Sequence, residues 1–214
     1  MKRAHGRTAL LLLFISCCGC VTLERSYPEK RYFVLEASES GDPANSAGDR
    51  TLLVSHLRVS PRYADRSFVY RISEAGYESD FYNQFLTPTD SMIGEEVRRG
   101  LAASRIFKYV IGPSNQLQPN YVLEGSVNAL YGDFRNLNAP TAVLEIEFFL
   151  HNEDSANPGV VMQKRYVKSV AINTRSPEAL VKGWNAALNE ILVSLTADIK
   201  AAEELAAKNA KEAK

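Results

Sequence analysis

Two stretches decide the fold: YVLEGSVNALY, residues 121–131, and AVLEIEFFL, residues 142–150. In the first, Tyr121, Leu123, Val127, Ala129 and Tyr131 share one side of a pleated strand, and Glu124, Ser126 and Asn128 take the other. In the second, Ala142, Leu144, Ile146, Phe148 and Leu150 oppose Glu145 and Glu147. A period of two with one polar face predicts antiparallel strands, buried on one side only. NEDSANPG, residues 152–159, then turns the chain into a third strand over 160–172.

Downstream, Ser176 is placed to cap a helix, with Pro177 at its first position and Glu178 at the positive end of its dipole. Leu180, Trp184, Leu188, Ile191, Leu195 and Ile199 recur at helical spacing and form one apolar stripe. From residue 200 the stripe thins to alanine, which predicts a polar, solvated helical tail over 200–214.

Upstream, a strand is expected over 31–37. A turn-rich loop (39–49) follows it, then a strand over 51–60 with Leu53, Leu57 and Val59 on one face and Leu52 and Val54 on the other. Residues 67–73 and 77–81 read as a hairpin around Glu74-Ala75-Gly76. A helix over 90–104 has Asp90 as its expected N-cap and Met92, Ile93, Val97 and Leu101 as its apolar stripe. Glu95, Glu96, Arg98 and Arg99 are expected outside. A strand over 107–111 completes the order. Strands, helix, strands, helix suit an α+β domain: a mostly antiparallel sheet with two main helices packed on one face, spanning residues 31–199.

The N-terminus follows a different logic. Lys2, Arg3 and Arg7 precede an apolar run from Leu10 to Ile15, and small residues and cysteines follow. This is a secretory pattern, and the run is shorter than the roughly 20 residues that a membrane span needs. Cys17, Cys18 and Cys20 end the segment, and no cysteine occurs later. That placement suits neither a disulfide framework nor a zinc site. It resembles a lipobox, with residues 1–19 removed, Cys20 acylated and residues 20–30 left as a tether. Gly19 supplies the small residue before Cys20, and Ser16 does so for the alternative, Cys17; Cys18 ranks third. Val21 leaves no aspartate after Cys20 of the kind that retains lipoproteins at the inner membrane, so the expected location is lipid-anchored in the envelope, on the outer membrane before the inner. Acyl chains hold by about 0.8 kcal/mol per buried CH₂.

Of 25 basic side chains, three lie in the segment removed, leaving 22 against 25 acidic, a net charge of about −3. No basic cluster argues for nucleic acid. His56 and His151 lack a nucleophile elbow, and no HExxH, CxxC, EF-hand or phosphate-binding loop is present. Glu145 and Glu147 share a strand face, where a solvated sheet surface explains them without an acid/base pair. The expectation is a protein without catalytic residues, metal or cofactor. Tyr77, Phe81, Tyr82 and Phe85 crowd into YESDFYNQF and are the candidates for contact with a lipid or a partner.

Several segments resemble the ABC-type transport auxiliary lipoprotein family. Arg31-Tyr32-Phe33-Val34-Leu35 is similar to that family's Tyr-Tyr-x-Leu start. Tyr63-Ala64-Asp65-Arg66-Ser67, with Arg71 after it, is similar to its Pro-x-Tyr-Leu-Asp-Arg-x motif. The helix ahead of Phe107-Lys108-Tyr109-Val110 and the closing Trp184 helix fit as well. The chain departs at Tyr82-Asn83-Gln84-Phe85-Leu86, where the family carries a tryptophan. The resemblance implies a non-catalytic accessory subunit. Its partners would be an ABC permease, its ATPase and a mammalian-cell-entry-type periplasmic protein, together moving lipids or hydrophobic solutes across the bacterial envelope. Copies of the chain could also join as a homo-oligomer. The alternative function is an assembly lipoprotein supporting an outer-membrane complex.

Overall fold

The structure is a computed structural model describing residues 28–37, 49–153 and 158–212. Cys17, Cys18, Cys20, the signal segment and most of the 39–49 loop lie outside the described residues. The strands are β1 (Arg31–Phe33), β2 (Thr51–Val54), β3 (Arg58–Val59), β4 (Ser67–Arg71), β5 (Tyr77–Phe85), β6 (Tyr109–Ile111), β7 (Tyr121–Asp133), β8 (Thr141–Asn152) and β9 (Gly159–Ala171). The helices are α1 (Thr89–Ala103) and α2 (Pro177–Glu212).

β7 is the spine of one α+β sheet. Its one edge pairs antiparallel with β8, which pairs antiparallel with β9. Its other edge takes β2, β3 and β4 in turn, all parallel. β5 pairs antiparallel with β4, while β1 joins β5 and β6 joins β2 as short parallel ladders. The long ladders are therefore antiparallel, as the alternating strands predict, and the parallel ones are short additions. The helices cover one face: Trp184 of α2 is fully buried against Phe68 and Phe85, and its indole N–H donates to the Val143 carbonyl at 3.2 Å. Gly100 of α1 meets Leu192 of α2, so the two helices also touch each other.

The α2 stripe is buried from Leu180 to Ile199, and the Ser176 hydroxyl accepts the Ala179 N–H at 3.2 Å, as expected of the cap. The helix continues unbroken to Glu212, and Ala202 still packs on the core. In α1 the predicted stripe is buried, but the cap differs. Pro88 occupies the N-cap position without a side-chain bond, and its carbonyl accepts the Met92 N–H; Asp90 sits inside the first turn. Glu96, expected outside, is buried. Its carboxylate accepts the Ala37 N–H at 2.5 Å and pairs with Arg99.

Further departures concern where strands end and, in two of them, an irregular register. β1 stops at Phe33, and residues 34–37 leave the sheet to lie across the helices, where Leu35, Glu36 and Ala37 donate to Met92, Asn185 and Glu96. The 51–60 strand is broken. Four residue steps from Val54 to Arg58 match three on β7, from Leu123 to Ser126, and the extra residue turns Leu57 onto the buried side with Leu52 and Val54. In β7 a bulge between Val127 and Ala129 swaps the faces. Leu130 opposite Leu144 continues the core, while Ala129 and Tyr131 pass to the face away from the helices. Strand 107–111 shortens to β6, with Phe107 buried ahead of it.

Candidate functional site

The hairpin strand expected over 77–81 runs on to Phe85, and inside it the register with β4 shifts. Ser67 pairs with Gln84 and Val69 with Ser79. One residue, Phe68, separates these pairs on β4, whereas Asp80, Phe81, Tyr82 and Asn83 separate them on β5. The surplus is thrown outward as a wide bulge.

Asp80 ties that bulge. Its Oδ1 accepts the backbone N–H groups of Tyr82 at 2.8 Å and Asn83 at 3.0 Å. Its Oδ2 accepts the Tyr70 hydroxyl at 2.5 Å and the Asn83 amide at 2.7 Å. Burial works to raise this carboxyl, but the hydrogen bonds from Tyr70, Asn83 and Tyr82 outweigh it and hold it below the usual range. Burial first, and the Asp80 bond second, push the Tyr70 phenol upward. Asn83 is held in turn by Arg31, whose Nε donates to its Oδ1 at 3.0 Å, and Arg31 reaches Glu178 at the start of α2 at 2.6 Å. Sheet edge, bulge and helix start form one network.

The bulge splits the four aromatic candidates. Phe85 is 2% exposed and packs on Phe68 and Trp184, so it is core and not contact surface. Phe81 is 63% exposed, with Tyr82 edge-on to it at 5.2 Å between ring centroids. Lys30, at the start of the described chain, places Nζ 4.2 Å from the centre of the Phe81 ring. Tyr77 belongs elsewhere, on the sheet face away from the helices. There it meets Tyr131 edge-on, and Tyr131 stacks on Tyr63. Burial, followed by the neighbouring Tyr77 and Tyr131, pushes the Tyr63 phenol up to about 12. A cavity of about 300 Å³ opens beside this cluster, bounded by Arg62, Asp65, Ser67, Val69, Tyr77 and Glu78.

Asp80, Asn83 and Lys30 escaped the sequence reading. The available signal was an Asp three residues before an Asn in a strand rich in turn formers. The two histidines flank opposite edges of β7. His56 lies exposed at the β2–β3 break beside Asp90, Ser91, Glu95 and Arg98, around a cavity of about 180 Å³. His151 is near the end of β8, with Nε2 3.8 Å from Glu124. Glu145 pairs with Arg165 at 2.8 Å and Glu147 accepts from Gln163 at 2.9 Å, so the two carboxylates hold β9 and not each other. Among the described residues no group of three or more His, Cys, Asp or Glu is placed to hold a metal, and no helix is long and apolar enough to cross a membrane.

No family model matches the sequence, and no curated protein matches it. Solved structures share the fold. A crystal structure of a Xanthomonas campestris protein of family DUF330 has a TM-score of 0.68 at 15% identity, covering 84% of this chain and 98% of its own. A second, of an uncharacterized protein, has a TM-score of 0.64 at 16% identity, covering 80% of this chain and 99% of its own. At such identities the likeness establishes a common architecture.

Proposed function

We propose that this chain is a lipid-anchored, non-catalytic accessory subunit of an ABC-type transport system that moves lipids or hydrophobic solutes across the bacterial envelope. The observation that carries the reading is the cysteine distribution: all three cysteines end an apolar, positively led N-terminal segment, and the 194 residues after Cys20 contain none. Such a chain has a candidate anchor point and no cysteine thiol in its domain for disulfide or thiolate-metal chemistry. The fold adds support of a second kind. Exposed Phe81, with half-buried Tyr82 beside it, sits on a braced bulge near Lys30, a setting that suits contact with a partner or a lipid surface. The family resemblance supplies the transport assignment.

The test is to recover the natively processed protein from membranes and apply mass spectrometry to its N-terminus and its partners. Acylated Cys20 together with a permease, an ATPase or a mammalian-cell-entry-type protein is the expected result. Acylation with an outer-membrane assembly complex instead would transfer the protein to the assembly role. An unmodified N-terminus would remove the anchor.

A further inference from the structure

The knuckle formed by exposed Phe81 and half-buried Tyr82 stands on a fixed backbone. Three of the four bonds to Asp80 come from the bulge itself, so the rings are held outward instead of collapsing onto the sheet. A bulge that merely absorbed surplus chain would not need its two largest side chains at the tip. The rings are an amphipathic set: Phe81 is wholly apolar, Tyr82 carries a hydroxyl, and Lys30 lies over Phe81 with its ammonium group. Aromatic rings with a polar handle and a flexible cation are the side chains that favour the boundary between lipid headgroups and acyl chains. Tyr32, half exposed on the neighbouring β1, stands opposite Gln84.

Chain length sets what can cover this surface. From Cys20 to Pro28 there are eight residue steps, which span at most about 28 Å when fully extended. Lys30 is two residues further on. An acylated Cys20 therefore keeps the knuckle within roughly one domain diameter of the bilayer. Tethering makes the second contact intramolecular, at an effective concentration of about millimolar for a short linker, so a contact too weak to hold a free protein becomes populated.

We propose that Phe81 and Tyr82, with Lys30, seat the domain on the phospholipid surface to which its N-terminus is anchored, fixing which face of the sheet points away from the membrane. This rests on the lipid-anchor reading, and the experiment separates the two. The full-length protein, processed in its envelope and carrying Tyr82→Trp, is reconstituted into vesicles of phosphatidylethanolamine and phosphatidylglycerol with brominated acyl chains. Trp184, fully buried, provides the unquenched background. Mass spectrometry of the same sample reads acylation. The reporter is expected to lose at least half its emission, and adding Phe81→Ser with Lys30→Glu is expected to reduce that quenching at least twofold while the circular dichroism stays unchanged. An acylated protein whose reporter is not quenched overturns the seating and assigns the knuckle to a protein partner. Quenching in an unacylated sample upholds the seating and overturns the anchor, and neither signal overturns both.

Discussion

Asp80 accepts from Tyr70, Tyr82 and twice from Asn83, while Arg31 grips Asn83 from the other side. The Arg31–Glu178 pair that completes the network is exposed, and pairs of that kind contribute about 0–1 kcal/mol. Hydrogen bonds to a charged acceptor contribute about 1.5–3 kcal/mol, so Asp80 outweighs the ion pair. Asp80→Asn presents an amide donor to groups that are themselves donors. It is expected to lower the unfolding free energy by about 1.5–3 kcal/mol in urea at pH 7. The pH dependence has a definite sign. The folded carboxyl is held below its unfolded value, so its contribution is complete above about pH 4 and is lost as the pH falls through the folded value. The variant should show a shallower acid limb than the parent below pH 4. Equal limbs would mean that the parent draws no stability from the ionised group. Glu203 titrates in the opposite sense. Burial raises it to about 6, the Arg50 guanidinium 3.9 Å away opposes the rise, and Asp49 adds to it. The folded protein then binds more protons than the unfolded chain between about pH 4.5 and 6, and stability declines as the pH rises through that window. Glu203→Gln should remove this slope in urea titrations at pH 4.5 and 7; a slope identical to the parent's would place the titrating group elsewhere.

At the scale of elements, α2 and β8 are fitted more closely than their sequences suggest. A Cβ at Gly183 would stand 2.6 Å from the Ala142 Cβ and 2.9 Å from the Ile172 Cγ2. Alanine in place of glycine inside a helix ordinarily gains about 1 kcal/mol. Here the clash falls on a buried strand that cannot retreat, and overpacking of this kind costs about 1–3 kcal/mol. Gly183→Ala should therefore destabilise the protein, read as a lower thermal midpoint, and a higher midpoint would show that α2 can slide off β8. The elements themselves were legible where pattern and packing agree: the alternation of β8, the buried stripes of both helices, and the Ser176 cap. Register was not. Period-two reading carries a face along a strand until something inserts a residue, and nothing in Ala129 or Leu57 announces the insertion. The bulges come from the fit to β8 and β7, a long-range property, and they put Tyr131 and Leu57 on faces opposite to those their spacing predicts. The same holds at the candidate site. The aromatic run is visible, but its division into a core residue, Phe85, an exposed one, Phe81, and a half-buried one, Tyr82, depends on the four-for-one mismatch between β5 and β4. Glu96 was misplaced for a related reason. Its carboxylate looks solvent-bound until residues 34–37 cross the helix and offer it the Ala37 N–H.

For the whole molecule, the sheet, the two helices and the bulge form one body that the described chain enters through Pro28 and Lys30, so a contact made by the knuckle would orient all of it. If the knuckle rests on the bilayer because the anchor holds it near, the contact must depend on tether length. Inserting about 20 Gly/Ser residues after Val21 lengthens the eight-step connection to roughly 28. Beyond its optimum, the effective concentration of a flexible linker falls as about the −3/2 power of length, which is roughly sixfold here. Nothing in the folded body changes, so urea stability should match the parent. Quenching of the Tyr82→Trp reporter by brominated lipid should fall instead, toward the value of the Phe81→Ser, Lys30→Glu variant. If quenching holds at full strength with the longer tether, the knuckle binds lipid on its own account and the anchor only delivers the protein to its membrane. A loss of quenching and of stability together would mean that the residues before Pro28 are part of the fold, because a passive tether transmits length and nothing else.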